Sequence, residues 1–178
     1  RHGKGPIMSS SLHEPFLVGD AFVQRYDELF HMWYIFGTKW ERFVEGAPPD
    51  RVYKIAHATS NDGINWRRDA RLLISDRLNA DECQALPTVI RLNDLYHMYF
   101  CYREAYGFRT DSKKGYRIGH ATSSDLIKWE RNDKELGIDV SADGWDSRMQ
   151  CYPHVFECDG RVYLLYNGND FGRRGFGL

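Results

Sequence analysis

The chain has 178 residues, a formal net charge of −1, an aromatic content of 15% and a charged content of 28%. Near-neutral charge removes the electrostatic basis for a nucleic-acid or anionic-membrane partner. The aromatics argue against disorder, and no apolar run approaches the ~18 residues that a bilayer-spanning helix needs.

The elements predicted in chain order fall into a repeat. Asp20 to Tyr34, Leu86 to Phe100 and Tyr152 to Tyr166 superimpose at an offset of 66 residues. Ala21-Phe22-Val23 matches Pro87-Thr88-Val89 and Pro153-His154-Val155. Polar pairs Asp27-Glu28, Asn93-Asp94 and Asp159-Gly160 follow, then the bulky runs Leu29 to Tyr34, Leu95 to Phe100 and Arg161 to Tyr166. Two β-rich runs joined by a short polar turn predict a hairpin in each copy.

The first two copies continue with a second shared segment. His57-Ala58-Thr59-Ser60-Asn61-Asp62-Gly63-Ile64-Asn65-Trp66 matches His120-Ala121-Thr122-Ser123-Ser124-Asp125-Leu126-Ile127-Lys128-Trp129, at an offset of 63. Recurrence marks His57, His120, Trp66 and Trp129 as scaffold, with each Trp packing back over its hairpin. The third copy ends within its expected third strand, at Gly175 to Leu178.

Four-stranded units at a fixed long period predict an all-β chain of the β-propeller class. The units span about 14–75, 80–140 and 146–178, as one partial propeller domain of two and a half to three blades. Such a count does not close a ring, so the expectation is part of a longer chain or self-association through open blade faces. A start at Arg1 without Met points the same way. No signal-peptide pattern is visible, which makes a cytoplasmic location the expectation. Cys83, Cys101, Cys151 and Cys158 contain no C-x-x-C pair, so a zinc site is not expected. Four thiols in a reducing compartment are the simpler reading, and the even count leaves a disulfide open.

In a propeller the inner strands line a central channel, so chemistry is sought where they begin. Those segments carry His13, Glu14 and Asp20, then Glu82 and Gln84, then Asp146, Arg148, Gln150, Tyr152 and His154. Carboxylates converging from different blades suit glycosidic-bond cleavage, in which one holds a proton and the other stays ionised. Asp146, Arg148, Gln150, Tyr152 and His154 alternate, which predicts one shared strand face. Trp40, in a charged segment, offers a flat apolar face for a sugar ring.

The inner-strand Pro-x-Val, the Met-Trp-Tyr and Met-Tyr-Phe runs (Met32 to Tyr34, Met98 to Phe100) and the His-Ala-Thr-Ser hairpins together resemble the five-bladed propeller glycosidases. These are glycoside hydrolase families 43, 32, 62, 68, 117 and 130, and the resemblance runs from about Glu14 onward. It implies an oligosaccharide or glycoside as ligand and a hydrolase-like, carboxylate-pair mechanism. A non-catalytic carbohydrate-binding propeller and a glycoside phosphorylase are the alternatives; the latter requires a cationic site, for which Arg103, Arg148, Arg173 and Arg174 are suppliers. By the same resemblance Asp20 is the base before an inner strand, and Glu82-Cys83 looks like the Glu-Cys of the acid motif. The register departs from that motif, because Ala85 stands two residues before Pro87, where the acid aligns. Family 43 channels with a calcium ion near a His make His154 its match, and no other cofactor is implied. The segment Tyr166-Asn167-Gly168-Asn169-Asp170-Phe171-Gly172 resembles a last-blade ending, with Asn167 as a substrate contact.

Overall fold

A computed structural model describes residues 2–178 and shows three antiparallel sheets. The first runs in order β1 (Val18–Tyr26), β2 (Leu29–Glu41), β3 (Asp50–Ser60), β4 (Arg67–Arg68). The second is β5 (Cys83–Leu92), β6 (Leu95–Arg103), β7 (Arg117–Ser123), β8 (Glu130–Arg131). In the third, β10 (Arg161–Asn167) lies between β9 (Cys151–Cys158) and the two-residue β11 (Phe176–Gly177). This is the predicted partial propeller: two four-stranded blades and one three-stranded one. No helix among the described residues is long and apolar enough to cross a membrane.

Local chemistry explains why the copies fold alike. At each β-hairpin both turn residues have positive φ: 47° and 66° at Asp27-Glu28, 48° and 64° at Asn93-Asp94, 52° and 71° at Asp159-Gly160. Paired left-handed residues match the right-handed twist of the flanking strands, and Asp, Asn and Gly tolerate that conformation best. The recurring Ser-x-Asp segments are folded turns. Asp62 Oδ1 accepts from the Ile64 and Asn65 amides at 2.8 and 2.7 Å, and Asp125 Oδ1 accepts from Ile127 and Lys128 at 2.8 Å each. Trp66 Nε1 then donates to Gly63 O at 3.1 Å and Trp129 Nε1 to Leu126 O at 3.3 Å, closing each turn under its Trp.

Packing between blades accounts for the bulky second strands. Trp33, Ile55, Met98, Phe100 and Cys151 share one buried cluster drawn from all three sheets. The conserved-in-repeat histidines stack in pairs, His31 on His57 at 5.2 Å and His97 on His120 at 5.3 Å between ring centroids. Cys83, Cys101 and Cys151 are buried free thiols, and Cys158 is an exposed one. The inner strands β1, β5 and β9 adjoin, with the Val155 amide donating to Thr88 Oγ1 at 3.3 Å and Tyr26 Oη to Val89 O at 3.4 Å.

Each inner strand also carries one irregularity at the same repeat position. Asp20, Leu86 and Tyr152 have φ of 52°, 49° and 60°, and strand register shifts beside each of them. A left-handed non-glycine residue at a bulge re-aims its side chain and unpairs the ladder locally. Three such bulges, 66 residues apart, put an opening at one end of the sheets.

Candidate functional site

The three bulges share one cavity of about 660 Å³, lined by Asp20, Leu86 and Tyr152. Its walls add Ala85 from the inner strand of the second blade, Tyr53 and Arg51 from β3, Arg103 at the end of β6, and Phe108, Arg109 and Tyr116 from the segment before β7. Phe171 closes it from the third blade, itself at φ 59° beside Asp170 at 56°. Four rings meet there, with Tyr116–Tyr152, Tyr116–Phe171 and Tyr152–Phe171 centroids 6.2–6.3 Å apart and Phe108–Phe171 at 6.3 Å.

Asp20 is the sole carboxylate in that lining. It is open to the cavity, yet the surrounding protein desolvates it and raises its pKa above the ordinary aspartate value. Burial, and then the neighbouring Cys151 and Cys101, push the Tyr152 phenol up to about 12, so that hydroxyl remains a hydrogen-bond donor at neutral pH. Tyr53 and Tyr116 touch hydroxyl to hydroxyl at 2.6 Å, and Arg103 Nη2 donates to Tyr53 Oη at 2.7 Å. A second cleft, of about 500 Å³, lies between the second and third blades. Its arginines are paired internally, Arg77 with Asp133 at 2.9 Å and Arg117 with Asp139 at 3.7 Å.

The other carboxylates singled out by the sequence lie elsewhere, each enclosed in a pairing within its own blade. Glu14, 2% exposed, accepts from Tyr34 Oη at 2.7 Å and from Arg68 of β4. Glu82, fully buried, accepts from Arg131 Nη1 of β8 at 2.6 Å, from Gln84 Nε2 at 3.1 Å and from the Arg77 and Leu78 amides at 3.0 Å each. Asp146, 2% exposed, accepts from Tyr166 Oη and Gln150 Nε2, both at 3.0 Å. Although burial acts to raise it, hydrogen bonds from Ser141, Gln150 and Tyr166 hold the Asp146 carboxyl below the usual range. The Glu14–Tyr34 and Asp146–Tyr166 pairs are the same contact two repeats apart. Glu14–Arg68 and Glu82–Arg131 likewise tie the start of a blade to its outermost strand.

The predicted single face of Asp146, Arg148, Gln150, Tyr152 and His154 does not form. β9 begins only at Cys151, because Asn169 Oδ1 captures the Arg148 and Met149 amides at 2.8 and 3.0 Å. The bulge at Tyr152 then resets the alternation. Tyr152 alone of the five lines the cavity, Arg148 pairs with Asp170 at 3.0 Å, and His154 is exposed with its ring against Phe22 and Phe156. Among the described residues no group of three or more His, Cys, Asp or Glu is placed to hold a metal ion, at His154 or elsewhere. Gln84 is fully buried on Ile74 O and Asp76, His13 is exposed, and Asn167 Nδ2 donates to Phe171 O at 3.2 Å. Trp40 is exposed with Arg51 over its ring at 5.7 Å. Sequence reasoning missed Tyr53, Tyr116, Arg51, Arg109 and Phe108, which lie outside the inner-strand starts. A signal existed for the tyrosines: Tyr53 and Tyr116 precede His57 and His120 by the same four residues.

No family model matches the chain. An uncharacterized protein of Mycobacterium tuberculosis is 34% identical over 173 residues, covering 97% of this chain and 54% of that protein. The chain therefore spans about half the length of the curated relatives it matches over nearly its full extent. A 1,2-beta-oligomannan phosphorylase of Thermoanaerobacter sp. is 32% identical over 82 residues, 45% of this chain and 26% of that enzyme. Among solved structures, a family 117 glycoside hydrolase of the marine bacterium Zobellia galactanivorans superimposes with a TM-score of 0.64 at 19% identity, covering 84% of this chain and 46% of its own. A thermostable family-43 glycoside hydrolase does so with a TM-score of 0.65 at 18% identity, covering 87% and 50%.

Proposed function

We propose that this chain, which carries the fold of the propeller glycoside hydrolases, belongs to a carbohydrate-active protein that works on a glycosidic bond at the three-bulge cavity. The observation that carries the reading is Asp20. It is a lone carboxylate, on a strained bulge, in a cavity walled by tyrosines and aromatic faces. Aromatic faces suit the apolar side of a sugar ring, and phenol hydroxyls suit its polar edge. A carboxyl whose pKa is raised by desolvation holds its proton nearer neutrality, which fits a donor to the leaving oxygen better than a base. Glu14, Glu82 and Asp146 serve this site as latches that fix the blades and not as its acids.

The test is a screen of aryl glycosides and of β-1,2-linked mannooligosaccharides with the wild type and Asp20→Asn. The reading expects turnover that falls by about 10²–10⁴-fold in the variant, with the thermal midpoint unchanged. Undiminished turnover in Asp20→Asn would sink the assignment. A second reading, sugar binding without turnover, is favoured by Ala85, which stands at the cavity wall where the resembling families carry a Glu. Saturable glycan binding with no product, at any pH, would decide for it.

A further inference from the structure

The cavity holds a charge that no ion pair among the described residues neutralises. Arg103 is only 6% exposed, at the end of β6, with its guanidinium 3.6 Å from the Phe108 ring centroid and within 5.3 Å of those of Tyr53 and Tyr116. Its hydrogen bonds go to neutral groups: Nη1 to Glu104 O and Ala105 O at 2.7 and 3.1 Å, Nη2 to Tyr53 Oη at 2.7 Å. Nε is buried with no partner. None of the ion pairs among the described residues involves Arg103, Arg51 or Arg109, although ten other arginines and lysines have one. Arg51 lies over Trp40, and Arg109 over Phe108 and Phe171. The lining thus carries three guanidinium groups against the one carboxylate of Asp20.

A buried guanidinium without a counter-charge is costly, and proteins normally pair it. Here the unpaired group faces a cavity with two more cations on its rim and phenol donors beside it. We infer that the cavity is built to take an oxyanion together with its sugar. The anion is either free phosphate, as a co-substrate, or a carboxylate or phosphate borne on the sugar itself. Planar guanidinium groups recognise both through paired N–H donors. Arg103 and the rim arginines supply the charge, and the Tyr53 and Tyr116 hydroxyls supply directional donors. The inference rests on the reading of this cavity as the carbohydrate site and narrows its ligand class.

Isothermal titration and thermal shift with inorganic phosphate, glucuronate, glucose 1-phosphate and glucose, at ionic strength held constant with chloride, test it. Variants Arg51→Ala and Arg109→Ala are exposed and leave the core intact; Arg103→Met tests the buried group. Saturable binding of an oxyanion, weakened at least tenfold by Arg109→Ala or Arg51→Ala, is the expected result. Binding of phosphate alone identifies a free co-substrate, and binding of glucuronate or glucose 1-phosphate without phosphate identifies a sugar-borne anion. A response no different from chloride, or oxyanion binding indifferent to all three arginine variants, overturns the inference. Glucose binding and Asp20-dependent turnover without any oxyanion effect would overturn it while leaving the carbohydrate reading intact. Phosphate binding with neither sugar binding nor turnover would overturn the carbohydrate reading and, with it, the pairing of anion and sugar.

Discussion

Replacing Arg131 by Met removes the partner of a carboxylate that has no route to water. Glu82 is fully buried, and the Arg131 side chain is 5% exposed. The pair meets at 2.6 Å, with Arg131 also donating to Asp133 at 3.0 Å and to Ser75 O at 2.8 Å, over the Phe100 and Tyr102 rings. Stripping one partner from a buried pair typically costs about 3–5 kcal/mol, because the remaining charge stays desolvated. At this chain length each kcal/mol moves the thermal midpoint by about 2–4 °C, so a fall of about 6–20 °C is expected. The double variant Glu82→Gln/Arg131→Met removes both charges and is expected to recover roughly 2 kcal/mol relative to the sum of the single variants. Urea unfolding followed by tryptophan fluorescence measures all four corners of the cycle. A loss below ~1 kcal/mol in Arg131→Met, or strict additivity, would refute the latch. It would also reopen Glu82 as a group free to act in catalysis.

The remaining predictions concern pH, turns and packing. Burial, and then the adjacent His57, lower the His31 pKa from 6.5 to about 4, and burial lowers His57, His97 and His120 as well. The unfolded chain therefore binds more protons below pH 6.5, so stability falls from there down to about pH 4, by roughly 3 kcal/mol for His31; His31→Gln is expected to flatten the urea midpoint against pH. If Asp20 is the proton donor, activity declines as pH rises through its raised pKa, and an alkaline limb at the ordinary aspartate value would count against it. Glu28 at φ 66° pairs only with exposed Arg25, so Glu28→Gly is expected to stabilise by about 0.5–1 kcal/mol in urea. A Cβ on Gly119 would come within 2.5 Å of the Phe100 ring, and Gly119→Ala is expected to cost about 1–3 kcal/mol by the same measurement.

The blades were legible because hairpin turns and the folded Ser-x-Asp turns depend on nearby residues, so the 66-residue spacing carries them directly. The cavity was only half legible. Asp20 lies at the predicted inner-strand start, but its aim is set by a left-handed bulge that Asp, Leu and Tyr occupy in turn, with no shared residue type to announce it. Asp146 and Gln150 read as channel residues because strand alternation extends into a segment whose backbone amides Asn169 captures, and Glu82 because its Glu-Cys pair resembles an acid motif, although Arg131 holds its carboxylate. Arg103 stands in the sequence as one of four suppliers of a cationic site, with Arg148, Arg173 and Arg174; burial beside Phe108 distinguishes it from them.

A crystal structure of the Asp20→Asn protein soaked with an oligosaccharide that the wild type cleaves or binds tests the central claim most directly. Sugar density between Asn at position 20, Tyr152 and Tyr116, with the bond to be cleaved next to position 20, is the predicted result. Sugar seated away from the three bulges, with that cavity empty, would contradict the account.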